Sequence, residues 1–263
     1  MADIGQIIRD APPVARTLAG ATLLISFSSF VLGLVNPMYF IYIPHMVWNP
    51  ARLQLWRLVT SFLLSSPKLG VLMDPFFLFK YASDCEHVRL RRKGDFMVFL
   101  LFVGSIIVLL NTFLIGGMTF CSPLILSLAY YWAAFESPST RVNFFIATFP
   151  VKFLPWIMLL MTLVQGGNVF LDLTGIVAAH AYLFLTEIWP RFGGGRDLLR
   201  PLGDTVEGWF EGYERAARPQ QPQRVQAQAG VRVGGAEGAT GSSLFGQRSQ
   251  VWAHRGQGHR LGS

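Results

Sequence analysis

The sequence predicts an all-α protein that crosses a membrane six times. Of its 263 residues, 52% are hydrophobic and only 14% are charged, whereas a soluble domain carries about 25% charged residues. The charged residues are also unevenly spread, because residues 17–51 and 96–135 contain no Asp, Glu, Lys or Arg. One membrane-spanning helix needs about 20 apolar residues, so the second of these stretches is long enough to cross a bilayer twice.

The first membrane helix is predicted over about residues 17–35, after a short cytosolic N-terminal arm, residues 1–16. Asn36-Pro37 ends this helix, since proline cannot continue one. No small-residue cleavage site follows it, so we expect a membrane helix and not a cleaved signal peptide. The long connection that follows is rich in aromatic residues and is expected to lie in the membrane interface. These are Tyr39, Phe40, Tyr42, Trp48, Trp56 and Phe62.

The second helix is predicted to begin at Asp74-Pro75, because aspartate caps helices and proline favours the first helical position. It extends to about Asp84, and a basic cluster over residues 86–93 follows. Glycine turns and a loop over residues 136–152 separate the remaining helices. These four are predicted over about residues 96–115, 120–135, 153–165 and 169–189, which completes a membrane domain over residues 17–190.

The positive charges predict the orientation of the six helices. Eleven Lys and Arg residues fall on the side of the N-terminus: Arg9, Arg16, Arg89, Arg91, Arg92, Lys93, Arg141, Lys152, Arg191, Arg196 and Arg200. The other side receives three, Arg52, Arg57 and Lys68. Because cytosolic loops carry the excess of Lys and Arg, both termini are predicted to be cytosolic.

The C-terminal region changes character after the last membrane helix. A juxtamembrane segment, residues 191–218, has apolar and aromatic residues among acids, and predicts a short interfacial helix over about residues 197–215. Residues 219–263 are rich in Gly, Gln, Arg and Ser and contain a single acid, Glu237. Such a composition cannot bury enough apolar surface to fold, so this segment is predicted to be a disordered cytosolic tail.

Several classes of function are not supported by the sequence. The net charge of +7 comes from residues at the ends of apolar segments, so no nucleic-acid surface is predicted. No pair of acids lies with a histidine at the spacing of metal ligands, and no glycine-rich phosphate-binding loop is present. No cofactor is therefore predicted. Asp172 alone does not indicate a transporter, which would carry several intramembrane charges. Cys85 and Cys121 are predicted to be reduced, buried thiols.

Three separated motifs remain after these exclusions. Trp56-Arg57 follows the first helix, where a tryptophan can anchor in the interface. Gly175-x-x-x-Ala179-His180 puts small residues on one face of the sixth helix, which allows close helix packing. Near the end of the sequence, a compact unit combines glycines with one charged and one apolar residue. The glycines allow the backbone to approach the surface of a partner closely. The key residues of this unit are Gly256, Gly258, Arg260 and Leu261.

In this order, the motifs resemble the Derlin family, the branch of rhomboid-like proteins that lacks protease activity. The basic loop after helix two and Leu154-Pro155-Trp156 at helix five belong to the same resemblance. It implies a rhomboid-like bundle of six helices in the endoplasmic reticulum membrane. The terminal unit, residues 256–261, resembles the SHP box, although the aromatic residue that usually precedes the box is absent. Ala179 likewise stands where the family usually has a second glycine.

The resemblance implies a non-catalytic role in endoplasmic-reticulum-associated degradation, the return of misfolded proteins to the cytosol. The implied partners are an AAA ATPase segregase of the valosin-containing-protein type, a ubiquitin-ligase membrane complex, misfolded clients and the lipid bilayer. The resemblance leaves open whether the chain assembles with copies of itself or with other chains.

An active rhomboid-type intramembrane serine protease is the alternative. Such enzymes place a serine on helix four and a histidine on helix six, and Ser127 and His180 are the pair in this sequence. The serine of those enzymes lies in G-x-S-G, whereas Ser127 lies in Leu-Ile-Leu-Ser-Leu-Ala. The sequence therefore predicts a pseudoprotease with no catalytic residue.

Overall fold

The computed structural model describes residues 11–49, 53–90, 92–137, 139–144, 147–192 and 199–217. The predicted disordered tail over residues 219–263 and its SHP-like box over residues 256–261 lie outside the described residues. Most of the N-terminal arm does as well.

The described chain is dominated by helices, and all six predicted membrane helices are present. In chain order the helices are α1 (Pro13–Ser26), α2 (Pro44–Val47), α3 (Trp56–Leu63), α4 (Gly70–Asp84), α5 (Lys93–Leu110), α6 (Cys121–Phe135), α7 (Leu154–Val164), α8 (Val169–Leu183), α9 (Trp189–Phe192) and α10 (Arg200–Ala217). A π-helical turn extends α1 over Phe27–Val31, α4 over Cys85–Arg89, α5 over Asn111–Ile115 and α8 over Phe184–Ile188.

The membrane helices differ in length. Three continuous helical segments of the described chain are long and apolar enough to cross a membrane: Pro13–Val31, Lys93–Ile115 and Val169–Phe192. Two shorter apolar segments, Cys121–Phe135 and Val151–Val164, contain 15 and 14 residues. At 1.5 Å per residue they are about 21–23 Å long, which is less than the hydrocarbon core of about 30 Å.

The start of α4 corrects a prediction. We expected this helix to begin at Asp74-Pro75, but it begins at Gly70 and Pro75 lies inside it. Pro75 is the sixth residue of the helix, past its first turn, so it removes the N–H that would bond the carbonyl oxygen of Val71, and the helix continues despite that loss. Asp74 does not cap its own helix. Its carboxylate instead accepts hydrogen bonds from the loop that precedes α4.

A small β-hairpin interrupts the otherwise helical chain. We expected a loop between the fourth and fifth helices, but β1 (Arg141–Phe144) and β2 (Ala147–Pro150) pair antiparallel there, with Arg141 opposite Pro150. β-branched and aromatic residues, which fit a pleated surface, recur in both strands. The hairpin is short and joins α6 to α7 without altering the order of the helices.

The core of the membrane domain is centred on α6. Its residues are buried along nearly the whole helix, and α4, α7 and α8 pack against it. Towards one end, Tyr131 of α6 contacts Phe99 of α5 and Tyr182 of α8, with ring centroids 4.8 and 5.7 Å apart. Such tilted and edge-to-face contacts are favourable for aromatic rings, and they join three helices at one point.

Contacts between helix ends bring the first and last described helices to the same end of the bundle. Glu86, just after α4, accepts hydrogen bonds from the backbone N–H groups of Val14 and Ala15 in the first turn of α1. A carboxylate there satisfies N–H groups that no helical partner can reach. At the start of α5, the N–H of Gly94 donates to Glu207 of α10 at 2.6 Å.

A charged cluster reinforces the contact of α10 with α5. Arg92 donates to Asp95 at 2.8 Å and to Asp204 of α10 at 2.7 Å. These hydrogen bonds to two carboxylates raise the pKa of the Arg92 guanidinium above its usual value. The helix predicted over about residues 197–215 is present as α10, Arg200–Ala217. Residues 193–198 lie outside the described chain.

Candidate functional site

Arg57 organises the loop between α1 and α4. It lies in the first turn of α3 and is 6% exposed. Its guanidinium donates to the backbone oxygens of Met38 and Ile41 at 2.7 and 2.9 Å, and to the Gln54 side chain at 2.5 Å. Arginine suits this role because its donors are fixed in a planar fork. The Arg57 side chain therefore links the loop at Met38 and Ile41, and at Gln54, to α3.

Trp56 has the opposite environment from its neighbour. Its side chain is 55% exposed and begins α3, so it can reach lipid headgroups or another molecule. Trp48, in the same loop, is also exposed. Tryptophan is favoured at the boundary between hydrocarbon and water. The Trp-Arg motif thus combines a surface ring with a buried structural cation.

Gly175 forms a close contact between α8 and the backbone of α6. A Cβ atom added at this position would lie 2.1 Å from the carbonyl oxygen of Pro123 in α6. Backbone cannot move aside as a flexible side chain can, so only glycine permits this approach of α8 to α6. Gly175 thus lies where the backbone of α8 comes directly against that of α6.

The other two residues of the helix-six motif lie on different sides of α8. Ala179 is fully buried, one turn after Gly175. His180 is exposed, and its Nδ1 forms a hydrogen bond of 3.1 Å with the hydroxyl of Tyr130 in α6. The motif thus combines buried packing with one polar contact at the bundle surface.

Ser127 and His180 do not form a catalytic pair. The Ser127 hydroxyl is buried and donates to the carbonyl oxygen of Leu124 in its own helix at 2.6 Å. Among the residues that the structure describes, no hydrogen bond joins Ser127 to His180. A serine whose hydroxyl donates within its own helix, and not to a histidine, is not arranged as an activated nucleophile.

A polar site that we did not predict lies between the same two helices, closer to the start of each. Asp172 of α8 is 2% exposed. Its Oδ2 accepts hydrogen bonds from the hydroxyls of Ser122 in α6, at 2.8 Å, and Thr162 in α7. Asp172 precedes Gly175 by about one helical turn, so the close contact at Gly175 brings the carboxylate to α6.

A second buried carboxylate belongs to the same site. Oδ2 of Asp74 accepts hydrogen bonds from the Ser65 hydroxyl at 2.7 Å and from the Ser66 backbone N–H at 2.9 Å. Asp74 and Asp172 both line a cavity of about 320 Å³ between α4, α6, α7 and α8. We call this space the carboxylate cavity.

The rim of the carboxylate cavity is formed by two loops. Lys68, in the loop before α4, lines the cavity and adopts a left-handed backbone conformation with φ 64°, which is uncommon for a residue with a side chain. Gly166 and Gly167 form the opposite rim. Both loops lie at the end of the bundle away from α10. The cavity thus combines anionic, hydroxyl and cationic groups within an apolar helix bundle.

Two isolated acids in apolar segments were the sequence signal for this cavity. An ionisable residue inside a membrane segment marks a functional site by default. We weighed Asp172 alone and took Asp74 for a helix cap. Their hydroxyl partners, which come from three other segments, could not be identified without the fold.

The arrangement supports binding more readily than bond cleavage. Ser122 does donate to a carboxylate, but Thr162 donates to the same oxygen. Histidine is absent from the described lining of the cavity. Hydrogen-bonding groups in an apolar surrounding can instead replace water around a polar segment that enters the bundle.

Comparison with known proteins agrees with this architecture. Residues 11–201 match the model of the Der1-like family. The chain is 32% identical to Derlin-2.1 of Zea mays over 208 residues, which cover 73% of this chain and 81% of that protein. It is 30% identical to Derlin-1 of Homo sapiens over 207 residues, which cover 76% and 80%. The residues of the Trp-Arg loop, the carboxylate cavity and the helix-six motif lie within the matched range, residues 11–201, and the chain belongs to the Der1-like family of polytopic helical membrane proteins.

Proposed function

We propose that the chain is a non-catalytic component of endoplasmic-reticulum-associated degradation, which helps misfolded proteins return from the endoplasmic reticulum to the cytosol. The observation that carries the proposal is the carboxylate cavity. Polar groups line it inside an apolar bundle, and a serine–aspartate contact, not a serine–histidine pair, joins α6 to α8 there.

The proposed mechanism begins with the cost of moving a polypeptide through hydrocarbon. Each unpaired backbone group costs several kcal/mol in the bilayer core. Asp74, Asp172 and the hydroxyls around them offer hydrogen-bonding groups at one end of the bundle. With the orientation predicted from the positive charges, that end faces the lumen and can receive a client segment.

Short helices support the same mechanism. The apolar segments Cys121–Phe135 and Val151–Val164 are shorter than the hydrocarbon core is thick. A bilayer adapts to short helices by thinning locally. A thinner bilayer beside α6 and α7 shortens the distance that a client must cross, and both helices line the carboxylate cavity.

The tail supplies the second part of the proposal. Residues 256–261 recruit an AAA ATPase of the valosin-containing-protein type, which pulls the client into the cytosol. Tethering the ATPase to the membrane domain raises its effective concentration at the exit. A ubiquitin-ligase complex in the same membrane would mark the client.

Client degradation tests the role of the cavity. Asp172→Leu replaces the buried carboxylate with an apolar side chain of the same branching, and Ser127→Ala is a control because that serine bonds within its own helix. In cells depleted of their own Derlins, wild type and Ser127→Ala should clear a misfolded membrane client at equal rates. Asp172→Leu, present at an equal level, should lengthen the client's half-life at least threefold.

Two outcomes of this experiment would contradict the proposal. If Asp172→Leu cleared the client at the wild-type rate, the carboxylate cavity would not be part of the route that the client takes. A shortened client fragment that disappears with Ser127→Ala would instead identify the alternative, an intramembrane serine protease that uses Ser127.

Co-purification tests the tail separately. A double change of Arg260→Ala and Leu261→Ala should abolish recovery of the ATPase with the chain. The matched control, Leu244→Ala with Arg248→Ala, removes one apolar residue and one charge elsewhere in the tail and should retain the ATPase. Equal recovery with both variants would refute the assignment of the box while leaving the cavity proposal intact.

A further inference from the structure

We propose that a groove on the lipid-facing side of the bundle binds one acyl chain of a bilayer phospholipid. The groove has a volume of about 580 Å³ and is lined by residues of α1, α3, α5 and α6, together with Trp48. We call it the α1–α5 groove, after the helices that contribute Leu18 and Leu101 to its walls. It lies apart from the carboxylate cavity and shares no lining residue with it.

The chemistry of the lining indicates a hydrocarbon ligand. Almost all of the lining side chains are apolar, and the two hydroxyls among them are already bonded. Ser105 donates to the carbonyl oxygen of Leu101 at 2.6 Å, and Thr112 donates to that of Val108 at 2.7 Å. A polar ligand would therefore lose its hydrogen bonds to water and regain few, whereas a hydrocarbon chain loses none.

The groove is too small to enclose a complete transmembrane helix. The lining runs along α5 from Met97 to Phe113, about 24 Å at 1.5 Å per residue. A helix about 10 Å in diameter would occupy about 1,900 Å³ over that length. The groove offers about 580 Å³, so a helix from a client or partner could only lie across its mouth. A flexible acyl chain is much thinner and can enter it.

Residues at one end of the groove indicate the leaflet that supplies the lipid. Thr112 lines one end of the groove, where its hydroxyl is bonded to that of Tyr42 at 2.7 Å, and Trp48, in the same loop as Tyr42, lines the groove and is exposed. Tryptophan and hydroxyl groups suit the headgroup level. A lipid whose headgroup lies at this end can extend an acyl chain along the lining of α5, which is about 24 Å long in all and exceeds the hydrocarbon depth of one leaflet, about 15 Å. The lipid therefore comes from the leaflet beside the Trp-Arg loop.

Gly104 leaves space in the wall of the groove. A Cβ atom there would meet only the ring of Phe62, at 3.5 Å, which is an ordinary van der Waals distance. The fold therefore tolerates a side chain at this position, and a large one would occupy the groove. Gly20 in α1 provides a matched control, because a Cβ there would meet nothing within 4 Å and the residue does not line the groove.

Photolabelling of the full chain in phosphatidylcholine vesicles tests the proposal. The probe is a phosphatidylcholine that carries a diazirine in one acyl chain, and mass spectrometry locates the labelled residues. Leu101 and Leu109 should carry at least fivefold more label than Leu160 and Val164, which are also exposed but lie on α7, outside the groove.

Two variants that fill the groove with a larger side chain test the proposal further. Gly104→Leu should lower the label at Leu101 at least fivefold, and Gly20→Leu should leave it unchanged. Leu109→Trp fills the groove from a different position, so the test does not depend on the folding of one variant. Equal labelling at Leu101 and Leu160 would show unselective lipid contact and overturn the proposal. Label at Leu101 that survives both filling variants would overturn it as well.

Discussion

Arg57 shows how one buried cation holds an irregular loop within a membrane domain. Its hydrogen bonds to Met38, Ile41 and Gln54 use neutral oxygens, and no carboxylate pairs with it in the part of the chain that the structure describes. Carbonyl dipoles then compensate for the loss of water around the guanidinium. The loop between α1 and α4 depends on these bonds, because α2 and α3 are too short to be stable alone.

Arg57→Ala should destabilise the protein strongly. The change leaves two backbone oxygens without their donor, and a hydrogen bond to a charged group contributes about 1.5–3 kcal/mol. We expect a loss of about 3 kcal/mol and a midpoint of thermal unfolding in detergent lowered by roughly 6–12 °C. Arg57→Lys should recover only part of this loss, because lysine lacks the planar fork.

Trp56→Ala is the control for the loop, since its ring is exposed and the change should alter the midpoint by less than about 2 °C. An equal effect of the two alanine substitutions would contradict the structural role of Arg57.

The sequence indicated some of these residues and not others. A Trp-Arg pair in an aromatic loop was recognisable, and the exposed ring of Trp56 fits the predicted interfacial anchor. The carboxylate cavity was not recognisable, because Ser65, Ser122, Thr162 and Asp172 are distant in sequence and only the packing of α4, α6, α7 and α8 brings them together. Side chains that meet across a fold leave no local pattern.

At the level of elements, the apolar pattern predicted the six helices within a few residues. The predicted and observed helix boundaries differ where a local sequence signal could be interpreted in two ways. Asp74-Pro75 has the chemistry of a helix start, but the four preceding residues are helical as well, and the aspartate serves the carboxylate cavity. The hairpin at β1 and β2 was missed because its strands have only four residues each, too few for a clear alternation.

The contact between α6 and α8 is the element interface most sensitive to substitution. Gly175→Ala would place a methyl group against the Pro123 backbone, at a distance of 2.1 Å if nothing moved. The helices must therefore separate, which also weakens the contact of Asp172 with Ser122. Overpacking typically costs about 1–3 kcal/mol, so we expect the thermal midpoint to fall by roughly 2–12 °C.

Gly20→Ala is the matched control for this prediction, because its methyl group would meet no atom within 4 Å and alanine favours the helix. Its midpoint should stay level or rise slightly. A Gly175→Ala protein as stable as Gly20→Ala would show that α8 can move away without cost.

At the scale of the whole molecule, contacts between helix ends indicate whether the number of membrane crossings is even or odd. Glu86 bonds the start of α1, so α1 and α4 run in opposite directions and form one pair of crossings. α10 contacts the start of α5 through Arg92 and Gly94, so the four helices α5 to α8 bring the chain back to the side on which α5 begins. Six crossings are consistent with both contacts, and five are not. This agrees with the unequal distribution of Lys and Arg in the sequence.

The predicted orientation can be tested with single cysteines on sealed endoplasmic reticulum vesicles. The native thiols of Cys85 and Cys121 are buried, so they should not react with an impermeant maleimide in the folded protein. Tyr213→Cys in α10 and Val88→Cys beside the basic cluster place thiols at exposed positions near one end of the bundle. Leu53→Cys places one in the loop near the other end, where the side chain is also exposed.

Tyr213→Cys and Val88→Cys should react in intact vesicles, and Leu53→Cys should react only after permeabilisation. The reason is that Arg89, Arg92 and Lys93 lie beside the first two positions, and an excess of Lys and Arg stays on the cytosolic side. Reversed labelling would place the carboxylate cavity at the cytosolic face and remove it as an entry site for lumenal clients. Different labelling of Tyr213→Cys and Val88→Cys would refute the even number of crossings between α5 and α10, and with it the six-helix topology.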